Sequence, residues 1–185
     1  MTAQLIRNRA VAVDTWKTLE IAEGESPESV ALPDGDILFP LAVWLARRNE
    51  IVSRHKRIGL LLEPGDQVEE IAADLDYFVV IAVAFPKFVD GRGFSTASLL
   101  RQRYNYQGEL RAVGDVLHDQ LFFMHRVGFD TYALRQDKDA RHAIANGFAS
   151  FSEGYQASTV QPEPRFRRRP STIPGSARNH IATTA

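Results

Sequence analysis

The sequence predicts an α/β fold whose parallel sheet is built from about four successive strand-helix units, as an open sheet or a partial TIM-barrel-like sheet. The chain has 185 residues, of which 44% are hydrophobic, and this suits one domain with a substantial core. From residue 58 onward, β-rich runs alternate with helical patterns at intervals of roughly 20 to 25 residues. Residues 78–85 contain no polar side chain, as a central strand covered on both faces requires.

The N-terminal segment is predicted to precede this repeat. Residues 10–21 alternate loosely between apolar and polar side chains, which indicates a short hairpin or two edge strands. Residues 22–36 are rich in glycine, proline and acidic side chains and are predicted to be a loop. After Pro40 the apolar residues recur at near-helical spacing, so we expect an amphipathic helix that ends near His55.

The repeat itself is predicted as four strands, each followed by a helix. The strands are Ile58 to Leu62, Phe78 to Phe85, Leu110 to Val113 and Thr131 to Leu134. The helices are Gln67 to Leu75, Ser95 to Tyr104, Val116 to Val127, with Asp115 as N-cap, and Asp139 to Phe151. Residues 1–155 therefore form a single α/β domain, with the hairpin and loop in 1–36 and the core in 37–155.

The last 30 residues have a different composition. Residues 156–185 carry five arginines against one glutamate, although the whole chain has a net charge of only −1. They also hold four prolines and few spaced apolar residues, which predicts a disordered basic tail. The run from Arg165 to Arg169 would bind nucleic acid only weakly and in a salt-dependent way, so we expect no specific nucleic-acid partner.

Composition and motifs also exclude several classes of chemistry. The chain has no cysteine, which removes disulfides and thiolate-held clusters, and it has no dinucleotide-binding glycine fingerprint. His118 and His125 are two helical turns apart, too far to bind one metal together, so we assign no metal ligand. The N-terminus does not resemble a signal peptide, and the longest apolar run is shorter than a membrane span, so we expect a cytoplasmic protein without a membrane partner.

The candidate site lies where the loops after the strands gather, because ligands of parallel α/β sheets bind beyond the carboxyl ends of the strands. No residue is assigned a catalytic role. The predicted anion-binding residues are Lys87, Asp90, Gly91, Arg92, Gly93, Ser95, Arg111, Asp115 and Arg135.

The segment from Asp90 to Ser95 is the centre of this prediction. Its two glycines allow a left-handed backbone and close approach of a ligand, the helix start favours an anion, and Arg92 can bind one in a forked geometry. The alternative is a tight turn with Arg92 in solvent. Arg111, inside a buried strand, needs a carboxylate or a ligand unless it lies at a sheet edge. We predict no cofactor, with flavin mononucleotide as the main alternative, since its phosphate could bind this helix start.

Five stretches of the chain carry recognisable motifs, namely residues 39–48, 81–95, 99–101, 108–117 and 119–122. Together they resemble a bacterial family of domains of unknown function, family 934, over about residues 35 to 155. Members of that family are often described as probable oxidoreductases of sulfite reduction, because their genes commonly accompany those of assimilatory sulfite or nitrite reductases. His118 stands where the family more usually has arginine.

The resemblance and the residues together predict an accessory protein, or oxidoreductase-associated factor, of assimilatory sulfite reduction. It would bind a small oxyanion such as sulfite, sulfate or phosphate, with a sulfite or nitrite reductase as partner. Two alternatives stay open: a non-catalytic module that assembles a reductase, and a small α/β enzyme acting on a phosphorylated substrate. The sequence decides neither whether the chain is an enzyme nor whether it forms a homodimer.

Overall fold

The structure is a computed structural model that describes residues 5–135, 137–148 and 154–168, and within them it contains eight strands and four α-helices. The strands are β1 (Leu5–Arg7), β2 (Ala10–Ala12), β3 (Lys17–Thr18), β4 (Ile37–Pro40), β5 (Ile58–Leu62), β6 (Phe78–Phe85), β7 (Glu109–Gly114) and β8 (Thr131–Ala133). The helices are α1 (Leu41–Arg54), α2 (Arg92–Gln102), α3 (Leu121–Val127) and α4 (Ala140–Gly147). Short 3-10 turns lie at Val68–Ile71, Leu75–Tyr77 and His118–Gln120.

All eight strands belong to one mixed sheet in the order β2-β1-β8-β7-β6-β5-β4-β3. Strands β3 to β8 are parallel and adjacent in chain order, whereas β1 pairs antiparallel with both β8 and β2. The prediction of a purely parallel sheet from four strand-helix units is therefore wrong. The sheet is larger, because the N-terminal hairpin and two further short strands pair with its edges.

The sheet must curve strongly, because a short segment joins its two edges. Residues 13–16 connect β2 at one edge to β3 at the other. Five Cα–Cα steps from Ala12 to Lys17 reach at most about 19 Å. In a flat sheet, eight strands spaced about 4.8 Å apart would place the edges roughly 34 Å from each other. The sheet therefore forms a partial barrel, and residues 13–16, hereafter the strap, span its interior.

The two faces of the sheet carry two separate cores. The outer face packs against the helices through residues such as Leu60, Ile81 and Phe85, together with Trp44 of α1 and Leu100 of α2. The interior core is smaller and contains Trp16, Leu38, Leu61, Val80, Ala82 and Ala84. Trp16 of the strap lies over Gly59, where a Cβ atom would approach the indole ring to 2.7 Å. The predicted central strand, β6, is buried on both faces except at Val79.

Several element boundaries differ from the prediction. Strand β4 lies between the predicted loop and the predicted helix and is not predicted from the sequence, and the hairpin is formed by β1 and β2 around Asn8 and Arg9 rather than by residues 10–21. The predicted helix Gln67 to Leu75 is instead two 3-10 turns. A 3-10 helix has three residues per turn, so it also places Val68 and Ile71 on one buried side.

The first part of the C-terminal segment, which the sequence predicts to be disordered from residue 156, contacts the rest of the chain. Thr159 donates its backbone N–H to the carbonyl of Arg126 at 3.0 Å, and Ser158 pairs with Gln161. Residues 169–185 lie outside the described residues. Among the described helices, none combines the length and apolarity needed to cross a membrane.

Candidate functional site

The loops at the carboxyl ends of β6, β7 and β8 are joined by one carboxylate. Asp115 follows β7, and its side chain accepts the backbone N–H of Phe88 at 3.0 Å and a guanidinium N–H of Arg135 at 3.0 Å. Its own N–H donates to the carbonyl of Phe85 at 2.7 Å. Asp115 therefore connects three loops. The sequence predicted instead that Asp115 caps the helix that follows it.

Gly114 makes this connection possible. Its φ angle is +99°, in the left-handed region, and a Cβ atom there would lie 2.5 Å from the carbonyl oxygen of Phe85. Because glycine alone meets both requirements, the chain can turn directly after β7 and place Asp115 against the neighbouring loop.

Asp90 and Arg92 form a bidentate ion pair. The two guanidinium–carboxylate distances are 3.0 and 2.7 Å, and Asp90 also accepts the backbone N–H of Arg92. The hydrogen bond from Arg92 lowers the pKa of Asp90. An internal carboxylate thus occupies the position near the start of α2 that the sequence assigned to a bound anion. The Arg92 side chain remains 64% exposed, so it is open to an incoming ligand.

The two glycines of this segment are not left-handed, contrary to the expectation from the sequence. Gly91 has φ −85°, and Gly93 is a helical residue of α2. A Cβ atom on Gly93 would meet the Phe85 ring at 2.6 Å, so this glycine permits the helix to pack on β6. At Gly91, by contrast, a Cβ atom would have no neighbour within 4 Å. The space above Gly91 is therefore open.

The remaining predicted residues at this end are exposed. Arg135 pairs with Asp137 at 2.6 Å as well as with Asp115, and the Arg135 hydrogen bond lowers the pKa of Asp137. Within the described ranges, Lys87 has no carboxylate within 4.0 Å. Ser95 lies exposed in the first turn of α2. Lys87, Arg92 and Arg135 therefore provide the cations of what we term the carboxyl-end face.

Arg111 does not belong to that face. Its side chain is 1% exposed and points into the barrel, where it donates to Glu109 at 2.7 Å and to Asp14 of the strap at 2.7 Å. Glu109 in turn accepts from Arg7 of β1 at 2.7 Å. The carboxylate that a buried arginine requires is thus supplied by these residues and not by Asp115, so Arg111 joins the strap to β7 near the opposite end of the strand.

Sequence reasoning overlooked Glu63, which follows β5 at the same end of the sheet. The backbone N–H of Glu63 donates to Asp66 at 2.8 Å, and burial together with the charge of Asp66 raises the pKa of Glu63. A Cβ atom on Gly65 in this loop would lie 4.0 Å from the Arg92 guanidinium. The rule that selects residues after parallel strands identifies Glu63 when it is applied to the first predicted strand as well.

Within the described ranges, no group of three or more histidine, aspartate or glutamate side chains is placed to hold a metal ion. The fold and this face define a class of protein: a mainly parallel α/β protein with a curled sheet, whose helices cover the outer face and whose polar loops meet at the carboxyl end of the strands.

The chain belongs to a family of bacterial proteins of unknown function, DUF934, whose family model matches residues 59–166. The match confirms the family that the sequence resembles, and it runs from the second residue of β5 through β8 and includes every predicted anion-binding residue. It begins after α1 and extends to Phe166, later at both ends than the resemblance indicated. Comparison with curated proteins finds no match.

Proposed function

We propose that this protein is an accessory protein of assimilatory sulfite reduction that binds a small oxyanion, such as sulfite, sulfate or phosphate, on its carboxyl-end face. One observation carries the proposal: Asp115 holds the loops after β6, β7 and β8 together. Lys87, Arg92 and Arg135 therefore share one face at the end of the sheet where parallel α/β proteins bind ligands.

The cations of this face are arranged for exchange of one anion for another. Arg92 and Arg135 are each held by an aspartate, Asp90 and Asp137, in side-chain pairs that remain accessible to solvent. An oxyanion would replace one of these carboxylates on its guanidinium and gain charge-assisted hydrogen bonds of the same geometry. Lys87 would add a third cation, and the open space at Gly91 would admit the ligand. Because the face is exposed, binding should weaken with increasing salt.

The resemblance to the family is the basis for two parts of this proposal, namely sulfite as the class of ligand and a sulfite or nitrite reductase as the partner.

A second candidate function, a non-catalytic module that assembles such a reductase, is favoured by the loop between β6 and α2. Phe88 and Val89 on this loop are 44% and 84% exposed. The loop is also held from behind, since Asp115 accepts the Phe88 N–H and Gln120 donates to the Phe88 carbonyl at 3.4 Å. A rigid, exposed apolar pair of this kind suits docking on another protein.

Isothermal titration calorimetry with sulfite, sulfate and phosphate tests the oxyanion site. We expect saturable binding to the native chain, and at least about tenfold weaker binding to Arg92→Ala/Arg135→Ala, because each hydrogen bond to a charged group contributes about 1.5–3 kcal/mol. Arg54→Ala is the matched control. Arg54 is an exposed arginine at the end of α1, paired with Glu50, and its removal should leave binding unchanged.

Equal binding by the double variant and the native chain would overturn the oxyanion site. If no oxyanion binds and the native chain co-elutes with the reductase, whereas Phe88→Ser/Val89→Ser does not, the interaction module is the correct function.

We also propose that the chain carries no redox cofactor of its own, because it lacks cysteine and a dinucleotide fingerprint. The freshly purified protein should be colourless, and it should not oxidise reduced nicotinamide in the presence of sulfite until a reductase is added. An absorption spectrum from about 300 to 600 nm, the region in which flavin and haem absorb, measures this directly. Flavin bands near one equivalent would contradict it and favour an oxidoreductase with flavin mononucleotide.

A further inference from the structure

A second polar cavity lies at the other end of the sheet from the carboxyl-end face. It has a volume of about 250 Å³ and is lined by Asn8, Arg9, His125, Asp130, Tyr132 and Phe148. Asn8 and Arg9 form the turn between β1 and β2, and Asp130 immediately precedes β8. The backbone N–H of Asn8 donates to the carbonyl of Asp130 at 3.2 Å, which fixes the turn to the wall of the cavity.

The backbone of the turn is unusual at Arg9. Asn8 and Arg9 have φ angles of +50° and +62°, so both are left-handed, as in a two-residue hairpin turn of type I′. Asparagine tolerates this conformation, but the second position normally takes glycine, because other side chains are strained there. Arginine therefore occupies a position where glycine would suit the fold better. Strain retained at one residue is characteristic of functional sites.

The Arg9 side chain is a cation without a matching carboxylate. Its guanidinium lies 5.2 Å from the centre of the Phe148 ring, and no described aspartate or glutamate is within 4.0 Å of it. Asp130, the one acid of the cavity, is already engaged: it accepts from Arg101 at 2.8 Å and from the Thr131 hydroxyl at 2.9 Å.

The other polar walls are largely engaged within the protein. Burial lowers the pKa of His125, and a hydrogen bond to the Phe129 backbone opposes this shift, so one ring nitrogen is already occupied. The Tyr132 hydroxyl is occupied, since it donates to the Phe129 carbonyl at 2.7 Å. Arg9 therefore supplies the cation of the cavity that is not already paired with a carboxylate, and the Asn8 amide offers a further donor.

We propose that this cavity binds the carboxylate or oxyanion group of a small molecule, with the Arg9 guanidinium as its principal ligand and Asn8 as an additional donor. The planar fork of arginine matches two oxygens of such a group. The volume is below the range of about 300–1,000 Å³ that is typical of pockets for drug-sized ligands, so the ligand is a small anion. This site is separate from the carboxyl-end face and does not depend on the proposed function.

The test is an NMR titration of the full chain, with the His125 imidazole and the backbone amides of residues 8 and 9 as reporters. Acetate and sulfate are titrated separately at constant ionic strength, which distinguishes a carboxylate site from an oxyanion site. We expect saturable shifts of these reporters with at least one of the two anions. Arg9→Gly should weaken that binding at least tenfold, while its thermal midpoint stays equal to or above that of the native chain, because glycine relieves the strained turn.

Arg103→Ala serves as the control, since Arg103 is an exposed arginine directly after α2 that does not line the cavity and pairs only weakly with Glu69, at 3.7 Å. It should bind the anion like the native chain. Three results would each overturn the site: no saturable shift with either anion, equal binding by Arg9→Gly, or a clearly lower thermal midpoint of Arg9→Gly, which would show that Arg9 is retained for stability alone.

Discussion

Replacing Arg111 with alanine should lower the free energy of unfolding by about 3–5 kcal/mol, because it leaves Glu109 and Asp14 as uncompensated carboxylates in the barrel interior. The Arg111 side chain is 1% exposed and contacts both carboxylates at 2.7 Å. Urea denaturation followed by circular dichroism measures the loss. Arg103→Ala, at a 66% exposed side chain, should change stability by no more than about 1 kcal/mol.

A second variant separates the charge effect from the loss of packing. Arg111→Met combined with Asp14→Asn and Glu109→Gln removes all three charges while it retains much of the volume. We expect this triple variant to recover a large part of the stability that Arg111→Ala loses, since neutral groups replace the unpaired carboxylates. A loss in Arg111→Ala no greater than that of the Arg103 control would show that Arg111 is not buried against these acids.

Replacing Trp16 with alanine should cost about 3–5 kcal/mol, the usual range for a buried tryptophan. Trp16 is 7% exposed and belongs to the interior core, where the strap covers β4 and β5. The matched control is Tyr155→Ala, at an aromatic residue that is 67% exposed, and it should change stability by about 0.5 kcal/mol or less. Thermal unfolding of the three proteins compares them directly.

The contact between Trp16 and Gly59 can be tested by coupling the two positions. Gly59→Ala alone should destabilise by about 1–3 kcal/mol, because its methyl group would lie 2.7 Å from the indole and 2.6 Å from Leu38. In the Trp16→Ala background the same change should cost clearly less, since most of the obstructing atoms are gone. Additive effects would mean that the strap does not cross the barrel interior at Gly59.

Sequence patterns predicted the centre of the sheet well and its edges poorly. Strands β5 and β6 were predicted with their observed bounds, because a strand buried on both faces is an uninterrupted apolar run. Strand β4 is only four residues long and ends in Pro40, and β3 has two residues. Strands this short are too brief for alternation to be recognised, and their pairing depends on partners distant in the chain.

The candidate site shows the same division. The rule for parallel sheets correctly placed Lys87, Arg92, Asp115 and Arg135 at one end, because the position of a loop after a strand follows from topology. The partners of these side chains did not follow. Asp90 turns back on Arg92 two residues away, and Asp115 reaches Phe88 across the sheet, because each side chain responds to neighbours that only the folded chain provides. The contact between the strap and β7 could not be predicted for the same reason, since Arg111 and Asp14 are 97 residues apart in the sequence.

The most direct test of the oxyanion-binding face is a titration of the isotopically labelled chain with sulfite, followed by amide NMR at constant ionic strength. We predict saturable shifts concentrated at residues 87–93, at Asp115 and at Arg135, with smaller changes elsewhere. The account would be contradicted if these three loops showed no saturable shifts at sulfite concentrations up to about tens of millimolar, because even weak specific binding would be detected there. Shifts confined to the turn at Asn8 and Arg9 would instead assign sulfite to the cavity at the opposite end.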